Sequence, residues 1–153
     1  MSRIDARLAE LGISIPQLAK PVAAYVPATT SGNLVFTAGQ LPFVDGALPA
    51  TGKVGAEVNA DDAAGYARIC VLNALAAAES VIGSLDRVTR VVKVTGFVAS
   101  APDFSGQPGV LNGASTVLGE IFGDIGQHAR SAVGVAVLPL DAPVEVELIL
   151  EFA

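Results

Sequence analysis

Residues 60–82, ADDAAGYARICVLNALAAAESVI, form the clearest helical pattern in the chain. Asn59 is a candidate N-cap, and a glycine follows the predicted end of the helix. Apolar side chains recur at three- and four-residue spacing along one face, at Ala64, Ala67, Val71, Leu75, Ala78 and Ile82. Because alanine occupies many of these positions, this face can pack closely on a sheet. Cys70, the single cysteine, lies beside the face and is interpreted as a small core residue rather than a reactive thiol.

The segments that follow this helix alternate between strand and helix patterns. Residues 87–99 alternate and are rich in valine, which predicts a strand, whereas residues 108–122 repeat apolar side chains with the helical period. Residues 129–138 and 144–152 alternate again, with valine or leucine on one side. Because only a short connection joins these two runs, they are predicted to form a β-hairpin.

The segments that precede the helix predict a short helix and two strands. Residues 2–12 carry a capping serine, an apolar stripe and a final glycine, which together indicate a helix. Residues 22–28 predict a strand, and a turn at 31–33 leads into a second strand over 34–38. One proline and three glycines within residues 43–57 indicate a loop.

The order ββ-α-β-α-ββ predicts an α+β fold in which two helices pack on one face of a mixed sheet. The length of 153 residues fits a single domain over 1–153, with residues 1–20 forming an N-terminal helix and an extended lead-in. Two helices leave the other sheet face uncovered, and 52% of the residues are hydrophobic. This excess of apolar residues predicts that sheets of several subunits pack together in a homo-oligomer.

The composition argues against several functional classes. A net charge of −6 and the lack of tryptophan argue against nucleic-acid binding, which needs a basic face or aromatic stacking platforms. One cysteine and one histidine exclude a Cys/His zinc cage within one chain. The longest uncharged run, between Lys20 and Asp45, is broken by prolines and glycines, so no membrane span is expected. The charged N-terminus is unlike a secretion signal, so a cytoplasmic protein is expected.

Arg130 is the first candidate for chemistry. It begins a valine-rich strand, and its neighbours on the same strand face are Ala132 and Gly134, both small. A guanidinium beside small residues has room to receive a planar anion through two hydrogen bonds. The alternatives are a solvated arginine at a strand end, or an ion pair with an acid on the adjacent strand.

Glu145 and Glu147 are the second candidate, because residues two apart on a strand project from the same face. If the hairpin forms, that face can coincide with the face of Arg130. A carboxylate there could position a water molecule or transfer a proton. A solvated strand face, or an ion pair with Arg130, explains the same pattern.

Four further positions carry weaker signals. His128, the only histidine, carries an imidazole, a group common in acid–base catalysis, but a surface or packing role explains it better. Gly39 lets backbone approach a ligand closely, or simply ends a strand. Asn112 on the second helix could reach a ligand or cap local backbone, and Tyr25 could supply a hydroxyl or pack.

Three segments together resemble the RidA/YjgF family of enamine and imine deaminases, also labelled endoribonuclease L-PSP. They are Tyr25 followed by NLVFTAGQLP at 33–42; Ala129-Arg130-Ser131; and Leu138-Pro139 with PVEVE at 143–147. The resemblance covers most of the chain after about residue 20. The N-terminal helix and the longer loop at 43–57 are similar to the longer, less characterised branch of the family.

The resemblance implies a chorismate-mutase-like fold and a homotrimer with ligand pockets between subunits. It implies that Arg130 clamps a substrate carboxylate and that Glu145 holds the hydrolytic water. Other pocket positions match Tyr25, Ala38, Gly39, Asn112 and Ala132, while His128 and Glu147 are additional candidates. The implied reaction converts a 2-imino acid to a 2-oxo acid and ammonia. An iminium carbon is already electrophilic, so no metal or other cofactor is expected.

The sequence departs from the family pattern at three pocket positions. Ala38 replaces a frequent serine, Ala132 replaces cysteine or threonine, and His128 stands where proline is common. One side of the pocket is therefore more apolar than in the family. The alternatives to a deaminase are a non-catalytic trimer that binds a small carboxylic metabolite and, as the older label says, an endoribonuclease. The acidic composition disfavours the last of these.

Overall fold

The structure is a computed structural model that describes residues 2–18 and 24–153. Three α-helices occur in these residues, at α1 (Arg3–Leu11), α2 (Ala60–Ile82) and α3 (Gln107–Phe122). Five strands occur, at β1 (Ala28–Ser31), β2 (Leu34–Thr37), β3 (Val88–Ala99), β4 (Ala129–Val135) and β5 (Val144–Phe152). The predicted alternation of strands and helices over the second half of the chain is confirmed.

Local capping sets the ends of α2 at the predicted residues. The side chain of Asn59 accepts a hydrogen bond from the backbone N–H of Asp62, and the N–H of Gly83 donates to the carbonyl of Glu79. Among the described helices, α2 alone has the length and apolar composition that could cross a membrane. Half of its most apolar window is buried inside the fold, as in core helices of soluble proteins.

One sheet contains all five strands in the order β1-β2-β5-β3-β4. β3 and β4 are parallel, and the other neighbouring pairs are antiparallel. α2 and α3 pack against each other and against the same side of this sheet. The prediction of a mixed sheet with two helices on one face is therefore confirmed.

The predicted hairpin between the last two strands is wrong. β4 pairs with β3, and β5 lies on the other side of β3, where its second neighbour is β2. α3 is the crossover connection that brings β4 parallel to β3, as parallel strands require. Residues 136–143, with a short 3-10 turn at Pro139–Asp141, then carry the chain back across β3. Strand β4 also ends at Val135 rather than at 138.

The first predicted strand, over 22–28, is also wrong. Residues 22 and 23 lie outside the described residues, and residues 24–27 are not in a strand. Strand β1 instead begins at Ala28, directly after Pro27, whose carbonyl accepts a hydrogen bond from the N–H of Ala38. A proline has no N–H for a ladder, so the paired segment starts at the next residue, Ala28, and continues through the β-branched Thr29 and Thr30. The turn at 31–33 joins β1 to β2 as predicted.

The two faces of the sheet differ in cover. In β5 the side chains of Val144, Val146, Leu148 and Leu150 are buried beneath the helices, whereas the intervening residues are only partly buried. The partly buried face, here called the open face, carries Phe36, Phe97, Ile149 and the exposed Val133. Within the residues that the structure describes, the expectation that one sheet face lacks helical cover in a single chain is confirmed.

Close contact between the two long helices predicts a strong effect at Gly113. A Cβ atom there would lie 1.9 Å from the backbone oxygen of Ala64, which a side-chain movement cannot relieve. Gly113→Ala is therefore expected to lower the free energy of unfolding by about 3 kcal/mol, despite the better helix propensity of alanine. Gly119→Ala, on the same helix with no atom within 4 Å of the added Cβ, is the control. Denaturant unfolding at one protein concentration measures both; equal stabilities would contradict the packing argument.

Candidate functional site

The guanidinium of Arg130 is held by three groups of α3. Its Nη1 donates to the Asn112 Oδ1 at 2.9 Å and to the Ser115 Oγ at 3.2 Å, and its Nη2 donates to the Pro108 carbonyl at 3.2 Å. Asn112 and Ser115 are three residues apart and thus lie on one face of the helix. These bonds draw the arginine from the edge strand β4 over the first half of α3.

This arrangement leaves part of the guanidinium unused. A guanidinium has five N–H donors, and three of them bond to α3. Within the described residues, the Nε–H and one Nη2–H have no hydrogen-bond partner in the protein, and no acid forms an ion pair with Arg130. One alternative from the sequence was that Arg130 forms an ion pair with an acid on the adjacent strand. For the described residues, that alternative is wrong. Helix α3 thus orients the guanidinium but accepts hydrogen bonds from only three of its five N–H donors.

Glu145 lies on β5, on the open face and directly beside Gly39. A Cβ atom at Gly39 would lie 2.6 Å from the Oε2 of Glu145, so a side chain at position 39 would displace the carboxylate. Gln40, the next residue, exchanges backbone hydrogen bonds with Val146. These bonds fix the 38–40 segment against β5 and place the Gly39 backbone next to the carboxylate.

Burial makes the Glu145 carboxyl a stronger base than an exposed glutamate. Partial burial raises its pKa above the ordinary value, and the negative charge of Glu147 raises it further. A carboxylate with a raised pKa accepts a proton from water more readily than an exposed carboxylate does. The geometry and the pKa direction both suit a group that orients and deprotonates water.

Arg130 and Glu145 lie on opposite faces of the sheet within one chain. Arg130 is in register with Val94, which is opposite Leu148, and both of these are buried beneath the helices. Glu145 is in register with Phe97 on the open face. Cross-strand partners share a face, so the sheet separates the guanidinium from the carboxylate. The expectation that the two faces coincide depended on the hairpin and is wrong.

The remaining predicted residues lie in three places: near Arg130, near Glu145, and in the segment before β1. Asn112 contacts Arg130 directly, and Ala132 follows on the same face of β4, level with Gly96. Ala38 lies before Gly39, and Glu147 lies beside Glu145 on the open face. Tyr25 lies in the segment before β1 and is 57% exposed.

Two contributors were not predicted. Ser115 bonds to Arg130 and to His128, and the carbonyl of Gly126 bonds to the same histidine. The spacing of Ser115 from Asn112 was a usable signal, because residues i and i+3 of a helix share a face. The Gly126 carbonyl has no signal in the side-chain pattern. In the described part of the chain, no cluster of three His, Cys, Asp or Glu side chains could hold a metal ion.

Comparison with known proteins agrees with this fold. A family model described as "YjgF/chorismate_mutase-like, putative endoribonuclease" matches residues 5–152. Protein TCP17 of Trypanosoma cruzi is 43% identical over 150 residues, which cover 97% of this chain and 94% of TCP17. A protein of Agrobacterium tumefaciens with unknown function, Atu1372, is 44% identical with a TM-score of 0.90, covering 98% of this chain and 93% of its own.

A third similar structure contains a small molecule. It is E. coli TdcF with bound serine, which is 25% identical with a TM-score of 0.66 over 90% of this chain and 94% of TdcF. The mixed sheet with helices on one face is thus the YjgF/chorismate-mutase-like fold. The chain belongs to the RidA/YjgF family, as the resemblance of its motifs predicts.

Proposed function

We propose that this protein hydrolyses small 2-imino acids, or their enamine tautomers, to 2-oxo acids and ammonia. The observation that carries the proposal is the Arg130 guanidinium, which α3 orients while two N–H donors remain without a protein partner in the described residues. A planar carboxylate accepts two N–H bonds from one arginine. The serine bound to TdcF, whose structure is similar to this one, is a small molecule that carries such a carboxylate.

The separation of Arg130 from Glu145 indicates where the pocket forms. One substrate can meet both groups only if they come from two copies of the chain, because the sheet separates them within one copy. The open face offers Phe36, Phe97 and Ile149 as a partly apolar surface for a second copy. We propose that Arg130 of one subunit faces Glu145 and Gly39 of its neighbour, in the trimer that the family resemblance predicts.

The proposed reaction needs only these groups and water. Arg130 holds the carboxylate and thereby places the imine carbon beside the water at Glu145. Glu145 accepts a proton as the water oxygen bonds to the imine carbon and passes it to the nitrogen, which gives a tetrahedral amino alcohol. The hydroxyl proton is then transferred through Glu145 to the amino group, the carbon–nitrogen bond breaks, and ammonia leaves while the oxygen becomes the carbonyl of the 2-oxo acid. One imine and one water give one oxo acid and one ammonia.

There are two alternatives to this proposed function. A trimer that binds a small carboxylate without catalysis would use the Arg130 donors alone. An endoribonuclease would agree with the description of the matching family, but the net charge of −6 offers little attraction for phosphates. A cytoplasmic location and independence from cofactors stay predictions.

The first experiment measures imine hydrolysis directly. An amino-acid oxidase generates 2-imino acids in situ, and semicarbazide traps whatever is not hydrolysed. The protein is expected to lower the trapped fraction for several amino acids, in proportion to its concentration. Boiled protein is the control. Unchanged trapping with every amino acid, together with binding of pyruvate in a calorimeter, would favour the carboxylate-binding function instead.

A second experiment tests the two-subunit pocket. Arg130→Ala and Glu145→Gln each lack one half of the site and are expected to be nearly inactive alone. Mixed, unfolded and refolded together, they are expected to recover about a quarter of wild-type activity. Each pocket then draws an intact arginine from half of the copies and an intact glutamate from half of the neighbours.

Refolding each variant separately, and the wild type in parallel, controls for losses in the procedure. Recovery in the mixture but not in the separate samples supports a shared pocket. A fully refolded mixture without activity would show that both groups must belong to one chain, which contradicts the proposed arrangement.

A further inference from the structure

A chain of hydrogen bonds joins His128 to Arg130 through Ser115. The Nδ1 of His128 lies 2.7 Å from the Gly126 carbonyl oxygen, and its Nε2 lies 2.9 Å from the Ser115 Oγ. The same Oγ accepts a hydrogen bond from the Nη1 of Arg130 at 3.2 Å. All three side chains are partly buried, so the contacts lie in a partly dry environment.

The Gly126 carbonyl determines which group donates and which accepts in each hydrogen bond of this network. A carbonyl oxygen only accepts, so the Nδ1 of His128 carries a proton. In the neutral imidazole the Nε2 is then an acceptor, and the Ser115 hydroxyl donates to it. The lone pairs of the Ser115 oxygen are left to accept from Arg130. Each group thereby makes the hydrogen bond that the next one needs.

We propose that His128 and Ser115 are positioning residues that hold the Arg130 guanidinium with its unused N–H edge toward the ligand. The inference rests on the proposed function, in which that edge binds a carboxylate. Asn112 takes one Nη1 proton and Ser115 takes the other, so both bonds are needed to occupy Nη1 fully. With Nη1 and part of Nη2 occupied by α3, the guanidinium plane cannot turn freely.

Ser115 is not arranged as a nucleophile, although a serine beside a histidine occurs in acyl-transfer sites. Such a site needs N–H donors aimed at the oxygen of the reacting carbonyl. Ser115 lies in the middle of α3, whose backbone N–H groups bond within the helix. Its oxygen also accepts from Arg130. The arrangement fits the orientation of a guanidinium.

The tautomer of His128 is measured directly because the chain has a single histidine. Long-range proton–nitrogen NMR spectra of the ¹⁵N-labelled protein at neutral pH distinguish a protonated from an unprotonated ring nitrogen. The protonated nitrogen is expected to be Nδ1, and Ser115→Ala is expected to shift the Nε2 signal. A ring protonated only at Nε2 would overturn the inference. This readout does not depend on the substrate or on catalysis.

Kinetics of variants test the effect on the ligand. Ser115→Ala is expected to raise KM about threefold to tenfold, the effect of one hydrogen bond, with kcat nearly unchanged. Ser115→Thr keeps the hydroxyl and is expected to restore most of the affinity. Thr116→Ala, the exposed neighbour on the same helix, is the control. A fall in kcat at constant KM, or no rescue by threonine, would count against a positioning role.

The double variant links the two residues. If His128 acts through Ser115, then Ser115→Ala with His128→Ala is expected to weaken binding no further than Ser115→Ala alone. Additive effects would show that His128 does not act through Ser115 and would overturn the proposed hydrogen-bond network.

A binding measurement separates this inference from the proposed function. If the wild type hydrolyses no imine, the same variants are compared by calorimetric titration with pyruvate, and the same ratio of affinities is expected. If pyruvate does not bind, the proposed function fails, and the Nε–H signal of Arg130 decides the inference. That signal is expected to be sharp in the wild type and broadened in Ser115→Ala; equal widths would overturn it.

Discussion

Arg130→Ala is expected to lower kcat/KM for 2-imino acids by about 100-fold to 20,000-fold, mainly through KM. The variant removes two charge-assisted hydrogen bonds to the substrate carboxylate, and each such bond contributes about 1.5–3 kcal/mol. It also leaves an anionic substrate without a countercharge in the pocket. Steady-state kinetics with oxidase-generated imines, together with pyruvate titration, measure the loss.

Two further variants separate the charge of Arg130 from its geometry and provide a control. Arg130→Lys keeps the charge but loses the planar fork, so it is expected to recover only part of the affinity. Arg90→Ala removes an exposed arginine from the adjacent strand β3 and is expected to leave the kinetics unchanged. An Arg130→Ala variant that folds normally and keeps wild-type KM would exclude the arginine as the carboxylate clamp.

Glu145→Gln is expected to lower kcat by about 100-fold to 10,000-fold, the usual contribution of a positioned general base. Glutamine preserves the shape of the side chain beside Gly39 but cannot accept the proton of the attacking water. Binding of pyruvate is expected to persist, because the Arg130 clamp remains. Single-turnover kinetics and calorimetry on the same preparation separate the two effects.

The pH profile provides the control for Glu145. Burial and the charge of Glu147 raise the Glu145 pKa, so activity is expected to fall as the pH drops through that raised value and the base becomes protonated. Glu147→Gln removes a like charge, which lowers the Glu145 pKa and shifts the acid limb to lower pH. Glu145→Gln should lack this limb. An unchanged acid limb in Glu145→Gln would assign the titration to another group.

Local sequence signals determined most of the secondary structure. Helix α2 was predicted at its observed bounds, because its caps and its apolar repeat lie within the segment itself. The alternation of β5 likewise predicted which of its side chains are buried. Such signals depend on neighbouring residues and on one buried face, and both are visible in the chain.

Pairing between strands was decided by the tertiary structure. The connection between β4 and β5 looked short enough for a hairpin, yet β3 lies between them. The choice of partner depends on α3, which must cross over the sheet and return β4 parallel to β3. No pattern within 129–152 carries that information.

For the candidate site, the sequence determined the residue types and the tertiary structure decided their arrangement. Arg130 and Glu145 were both selected from the sequence, because an isolated arginine and a glutamate pair on alternating strands are visible there. Their placement on opposite faces follows from register across three strands. The contacts of His128 and Ser115 with Arg130 join separate elements of the fold. Periodicity assigns a side chain to a face, but only packing determines which faces and which side chains meet.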